Sequence, residues 1–494
     1  MFRLLLALLA LCCSLAAQRA PRIWDEKAMQ DWATPIAALK VRPGHFSAEE
    51  YYKVPPFNYK TYPVYHPERE PAGFWQMLQK AKPEPALDIT RIRTEADWIQ
   101  EGKEIFRTLV NPLFISREPK DIAIARDPAN FATMLFDENG EAFGFRWVVT
   151  EEGVGIAGLE CAGCHFREEG GKFRFAGPAA KASPQLRISD IRGLNLLGLA
   201  FSRLFSGDSP GVAFWRNWTT PWDPDERVEQ FRTKPFGQLA RFLEGGLGSD
   251  GVFARINGSL WHQTKIPDLQ NLKYQRYIDA TGTHRMRGPE DIARYAAVVS
   301  GVDSLDFGQY RILTDQQRRV PFRYADELLY AIGVYLWNLE PPSNPHPAPK
   351  AQVERGRKIF VRETCAGCHA PPNYTTWKLT LALGYEPPLD HPNQPDIQHV
   401  SVGTDPGLAL KTRKGTGFYK IPSLRGLWYR PLLLHDGSLA SLEEMFDPAR
   451  LKPDFEPQGW NPPDVKQRAV TGHPFGLALK PAEKADLLAF LRSI

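Results

Sequence analysis

Two copies of one five-residue segment, Cys161-Ala162-Gly163-Cys164-His165 and Cys365-Ala366-Gly367-Cys368-His369, constrain this 494-residue chain more than any other feature. The other two cysteines, Cys12 and Cys13, fall in a stretch that opens Met1-Phe2-Arg3, runs apolar from Leu4 to Leu11 and reaches small residues at Ala16-Ala17. A basic start, a short apolar run and a small-residue end describe a secretory signal peptide. The run is well short of the roughly 20 residues that a spanning helix needs. Residues 1–17 are therefore expected to be removed, and the protein to be periplasmic or secreted with no stable membrane span. Every cysteine that remains belongs to one of the two repeated segments. None is left for a structural disulfide, although export would permit one.

Cys-x-x-Cys-His is the attachment signature of c-type haem. Two thiols one short turn apart can add across the haem vinyl groups, and the adjacent imidazole then lies under the iron as proximal ligand. The expected cofactors are two covalently bound haem c groups, on Cys161 and Cys164 with His165, and on Cys365 and Cys368 with His369. A four-cysteine zinc site also uses Cys-x-x-Cys pairs. Such pairs usually lie tens of residues apart, whereas these are about 200 apart and each carries a His in the same place. A redox dithiol explains the repeated His no better. The formal net charge of +4 is small for this length, which speaks against a nucleic-acid partner.

The chain also repeats itself around the motifs. Val353-x-x-Gly356-x-x-Ile359-Phe360 leads into Cys365, and Ile99-x-x-Gly102-x-x-Ile105-Phe106 has the same form, but residues 107–160 then intervene before Cys161. After each motif comes a second match: Lys265-Ile266-Pro267-x-Leu269-x-x-Leu272-x-Tyr274 against Lys420-Ile421-Pro422-x-Leu424-x-x-Leu427-x-Tyr429. The register runs on without a gap to Gly282 and Gly437. Repeats of this kind mean related structural units. Each unit ends in a helix: Leu328, Leu329, Ile332 and Leu336 share one face, as do Leu487, Leu488, Leu491 and Ile494. Pro341-Pro342 stops the first of these helices. The sequence thus predicts a mainly α-helical fold with long loops. Its expected parts are an N-terminal extension (18–90), a haem domain enlarged by an insertion (91–345) and a compact haem domain (346–494).

With Lys420-Ile421-Pro422-Ser423-Leu424-Arg425 leading to His435-Asp436-Gly437-Ser438, residues 95–494 resemble the bacterial di-haem cytochrome c peroxidase superfamily. Gly472-His473-Pro474-Phe475-Gly476 before the last helix is most similar to the rubber oxygenase-like branch. The resemblance implies tandem cytochrome c-like domains and a redox function with peroxide or dioxygen. It implies a small redox protein or other electron donor or acceptor as partner. It also implies a calcium ion between the domains, for which no ligand residue is identified. By the same resemblance His473 is the favoured second ligand of the C-terminal haem, with Met445 and His435 as rivals.

The two haem environments differ. The position matching His435 is Ala280 in the first unit, and no His or Met occurs between residues 166 and 261. The first iron is capped by His262, His284, Met286 or a residue of the extension, or else keeps an open site where peroxide or dioxygen can bind. The expectation is a reactive haem 1 and an electron-relaying haem 2, with an electron carrier without substrate chemistry as the alternative. His284 and Arg285 are the expected catalytic pair, able to move a proton and polarise an O–O bond. The run Phe214-Trp215-x-x-Trp218-x-x-x-Trp222 would pack on haem or shape an apolar pocket.

Overall fold

The computed structural model describes residues 20–128, 136–169, 172–178, 220–223, 252–253, 261–302, 306–313, 315, 318–462 and 465–494. The expected signal peptide and Phe214, Trp215 and Trp218 lie outside the described residues. Trp222 packs on Phe307 and Tyr310, with ring centroids 5.1 and 5.7 Å apart. Among the described residues no helix is long and apolar enough to cross a membrane.

Five helices carry most of the packing: α1 (Glu95–Thr108), α2 (Pro289–Ala297), α3 (Asp326–Trp337), α4 (Lys350–Arg362) and α5 (Pro481–Leu491). Thr94 caps α1 by accepting from the Asp97 amide, while the Asp97 carboxylate accepts from the Thr94 amide. That reciprocal pair satisfies two amides that the first turn would otherwise leave bare. Pro481 opens α5 and Pro289 opens α2, positions where the missing amide costs nothing.

Helix α1 crosses α3 and helix α4 crosses α5, by the same contact in each case. A Cβ on Gly102 would collide with the Ala331 carbonyl and lie 2.8 Å from Tyr335 Cβ. A Cβ on Gly356 would collide with the Asp486 carbonyl and lie 2.7 Å from Phe490 Cβ. The register that aligns Lys265 with Lys420 also aligns Ala331 with Asp486 and Tyr335 with Phe490. It further aligns the amide of Asn271 bonded to the Leu339 carbonyl (2.9 Å) with the amide of Gly426 bonded to the Ile494 carbonyl (2.8 Å). Both donors sit in the left-handed region, at φ 61° and 73°.

The two repeats also bond to each other reciprocally. The Lys265 amide donates to the His435 carbonyl, and the Lys420 amide donates to the Ala280 carbonyl, each at 2.9 Å. Lys265 Nζ reaches the Leu432 carbonyl at 3.0 Å and Lys420 Nζ the Tyr277 carbonyl at 3.4 Å. Each lysine thus binds the segment that follows its counterpart, an approximate two-fold exchange.

The chain is mixed α/β, so the expectation of a mainly helical fold is too narrow. Strands β1 (Thr61–Tyr65), β2 (Glu141–Thr150) and β3 (Gly153–Gly158) form an antiparallel sheet, and further short strands pair elsewhere. The residues between α1 and Cys161 supply β2 and β3, whose alternation buries Trp147, Val149 and Ile156 against Val64, Phe74 and Leu78. Period-two patterning inside a segment read only as an insertion is what the helical reading passed over.

Part of the N-terminal extension lies in the main core. Ile23, Trp24, Trp32, Phe46 and Tyr51 are buried in one core with Ile105, Phe106, Leu328 and Ile332. Ala33 pairs with His284 across a β-bridge, and the Thr34 amide donates to the Thr283 carbonyl at 2.7 Å.

Candidate haem-binding sites

Helix α4 ends where Thr364 takes a left-handed conformation, which turns the chain at once into a tight turn over Cys365–Gly367. The Cys368 and His369 amides both return to the Cys365 carbonyl, at 3.3 and 2.9 Å. Two thiols and one imidazole are thereby carried by a single turn. Cys365 lies against a buried set that includes Ile359, Phe360, Met445, Leu487 and Phe490. Burial pushes its thiol up to about 11, so the sulfur is neutral at ordinary pH. Gln398 Nε2 donates to Cys368 Sγ at 3.1 Å.

His369 Nδ1 faces the Tyr374 carbonyl at 3.2 Å. A proton held there leaves Nε2 as a lone-pair donor, the arrangement that fixes a metal-binding imidazole. Burial pushes His369 down to about 4, the Tyr374 carbonyl opposing. The His473 ring lies beside it, centroids 6.4 Å apart at 50°. Two imidazoles that share one metal, each about 2 Å from it through a ring nitrogen, have centroids about 6 Å apart. Burial, with His369 second, pushes His473 down to about 3, and its Nδ1 is buried without a hydrogen-bond partner. Two neutral imidazoles at this separation, one with an unsatisfied nitrogen, fit an iron held between them.

The two rivals lie otherwise. Met445 ends a helical turn (Leu442–Met445) and is buried in the same apolar set as Cys365. The His435 ring packs on Tyr419 at 4.6 Å, and its carbonyl is bonded to the Lys265 amide.

At the first motif, Cys161–Cys164 forms one helical turn directly after β3, closed by the His165 amide on the Cys161 carbonyl at 3.0 Å. The Phe106 ring of α1 lies 6.4 Å from His165, and Phe106 in turn packs on Tyr335. Burial, with Glu160 second, pushes the Cys161 thiol up. Burial also lifts Glu160 to about 7, against hydrogen bonds from Asn111 and Ser300.

The expected partners of this motif are placed as follows. His262 lies against Gly407, where a Cβ would strike its ring. Met286 is buried, its amide on the Arg276 carbonyl at 2.8 Å. His284 is buried with both ring nitrogens close to polar atoms: Nδ1 3.0 Å from Thr283 Oγ1, and Nε2 3.4 Å from His45 Nε2. Its ring packs on Trp32, centroids 4.3 Å apart and planes tilted by 49°. Burial, then the charge of His45, holds His284 well below the ordinary histidine range. Arg285 is paired with Asp31 at 2.8 Å and donates to the Pro392 carbonyl at 3.1 Å. Among the described residues no group of three or more His, Cys, Asp or Glu side chains is arranged to hold a metal ion.

The sequence reading missed His45, Trp32 and Arg450. The first two lie in a stretch without motif, and only their contact with residues 283–285 reveals them. Arg450 reads as an ordinary surface cation but is fully buried.

No family model matches the chain, and no curated protein does. Among solved structures it is similar to hydrazine synthase of Kuenenia stuttgartiensis, at 16% identity over 58% of this chain and 88% of that one, with a TM-score of 0.28. It is similar to a MauG-like protein associated with microbial copper homeostasis, at 14% identity, the same two coverages and a TM-score of 0.30. A diheme peroxidase from Burkholderia thailandensis follows at 18% identity, over 47% of this chain and 71% of that one, with a TM-score of 0.26. Likeness this slight carries no functional weight; the site rests on the chain's own residues.

Proposed function

We propose that the chain is an exported di-haem c-type oxidoreductase with unequal haem sites. The C-terminal haem would be attached to Cys365 and Cys368 and ligated by His369 and His473. The N-terminal haem would be attached to Cys161 and Cys164 and ligated by His165. The observation that carries this reading is the buried, neutral His369–His473 pair next to one of two identical attachment segments. Haem supplies one-electron chemistry, and an iron with an open position supplies a place for peroxide or dioxygen.

The rest of the work falls to the chain. Tyr374 orients His369 and fixes its tautomer, while the apolar set around Cys365 keeps water from the second site. Such a shielded, doubly ligated centre suits electron transfer rather than substrate binding. At the first site the asymmetry rests on His284, whose two nitrogens are engaged by Thr283 and His45 instead of standing free to cap an iron. In this reading His284 is a neutral base sharing a proton with His45, and Arg285 anchors the N-terminal segment over it through Asp31.

Electron paramagnetic resonance of the oxidised protein, followed by addition of hydrogen peroxide with a reduced donor, tests the proposal. One low-spin and one high-spin haem with catalytic turnover supports it. Two low-spin haems in every redox state, or a protein that is merely oxidised, would instead make the chain an electron carrier.

A further inference from the structure

Among the described residues Arg450 is the largest charged side chain wholly removed from solvent, at 0% exposure. It stands in a short helical turn, Pro448–Leu451, that Asp447 caps by accepting from the Ala449 amide at 2.8 Å. Its Nε donates to the Met445 carbonyl at 3.0 Å. Its Nη1 donates to the Val470 carbonyl at 2.6 Å. Its Nη2 donates to the Gly472 and His473 carbonyls, both at 2.9 Å. All four bonds end on main-chain carbonyls and none on a carboxylate. A guanidinium taken out of water for this purpose is costly unless its geometry is well satisfied.

These four carbonyls belong to two segments with one thing in common. One segment carries Met445 and the other carries His473, two of the three side chains that compete on sequence grounds to face His369. The His473 segment is held from its other side as well. The His473 amide donates to the Val402 carbonyl at 2.6 Å. Gly472 has φ 86°, and a Cβ there would strike the Thr404 main chain. His473 itself has φ 49°, a left-handed conformation that a non-glycine residue keeps only when its surroundings impose it.

We propose that Arg450 is the positioning residue that makes His473, and not Met445, the second ligand of the C-terminal haem. This rests on the proposed function above. One guanidinium fixes the carbonyl at Met445, locking that residue into its helical turn and its apolar packing. The same group draws the Val470–His473 loop inward, so that the imidazole reaches His369. Nothing but main chain is bonded, so Arg450 acts on the choice of ligand by placing the Met445 and His473 segments.

The test uses Arg450→Met, Arg450→Lys and His473→Ala in the full-length holoprotein. Electron paramagnetic resonance reports bis-imidazole low-spin iron, and the near-infrared charge-transfer band reports iron–methionine ligation. In the wild type the C-terminal haem should give the bis-imidazole signal, and His473→Ala should abolish it. If His473→Ala leaves that signal intact, the ligand assignment fails, and with it any role for Arg450. If His473→Ala abolishes it, Arg450→Met should lower it at least about tenfold in favour of high-spin or methionine-ligated iron, with Arg450→Lys intermediate. Folded Arg450→Met protein with the full bis-imidazole signal would overturn the proposal. Where Arg450→Met yields no folded protein, cyanide binding to Arg450→Lys decides. Displacement of His473 about tenfold faster than in the wild type supports the role, and an unchanged rate overturns it.

Discussion

Substituting Gly356 by Ala tests the helix crossing that positions the second attachment turn. The added Cβ would meet the Asp486 carbonyl and come within 2.7 Å of Phe490 Cβ. The obstacle is largely main chain, so no rotamer change relieves it and α4 must move away from α5. Overpacking of this kind costs roughly 1–3 kcal/mol, and a collision with a carbonyl belongs at the upper end. Alanine recovers about 1 kcal/mol through its better helix propensity. A net loss of about 2 kcal/mol follows, or a fall in Tm of about 4–8 °C for a cooperative unit of 150–250 residues. Thermal unfolding followed by far-ultraviolet circular dichroism measures it, with the haem absorbance recorded in parallel because α4 runs directly into Cys365. Gly102→Ala should cost a similar amount, since its crossing with α3 is built on the matching atoms, and the two losses should add. If either substitution proved neutral or stabilising, the crossing would be relaxing freely, and close contact at the glycine would not be what holds each helix pair.

Further outcomes follow from buried titrating groups. Burial lowers Lys265 and Lys420 to about 8 each, with Arg430 adding to the shift at Lys265. The unfolded chain therefore holds more protons than the folded one between about pH 8 and 10. Stability should rise with pH in that window, by up to about 1.4 kcal/mol per pH unit for each lysine. Urea midpoints measured from pH 8 to 10 would show this slope, and Lys420→Met should remove one lysine's share; a slope unchanged by the substitution would refute it. Glu160 runs the other way. Lifted to about 7 from 4.5 by burial, it keeps its proton in the folded state, so its contribution to stability is lost as pH rises through that range. Glu160→Gln should flatten that fall, read from the same midpoints between pH 4.5 and 7.5, and a wild-type-like decline would refute the assignment. His45→Phe should leave His284 Nε2 facing a ring without an acceptor, costing about 1–3 kcal/mol; an unchanged denaturation midpoint would show that the pair holds nothing together.

Much of the proposed site lies in plain view in the sequence because covalent haem attachment would demand adjacent residues. Cys365, Cys368 and His369 must share one turn, and so must Cys161, Cys164 and His165, which leaves a pattern in five letters. The duplication is legible for a similar reason: helix crossings that tolerate no Cβ keep Gly102 and Gly356 in place, and reciprocal bonding keeps the Lys-Ile-Pro segments in register. The β-sheet and the core role of residues 20–90 are less visible. Strands such as β1 are short, and Trp24, Trp32 and Tyr51 are buried in a core shared with residues as distant as Leu328 and Ile332, so no local period announces them.

His473 and Arg450 show where local reading stops. In its proposed role His473 is recognisable only through resemblance, because a second axial ligand need satisfy a distance to His369 and nothing in its own neighbourhood. Its placement depends on a loop with two successive left-handed residues, Gly472 at φ 86° and His473 at φ 49°. Such a loop persists only when bonded from outside, and the bonds come from a side chain that reads as one more surface arginine. The residue that does the holding has a carbonyl-only environment, which no pairing of charges along the chain could reveal. A ligand that is far in sequence from its partner must be held by something equally far from both. In the proposed reading that something is a buried cation, whose four hydrogen bonds all go to the loop it fixes and to the helical turn of a rival ligand.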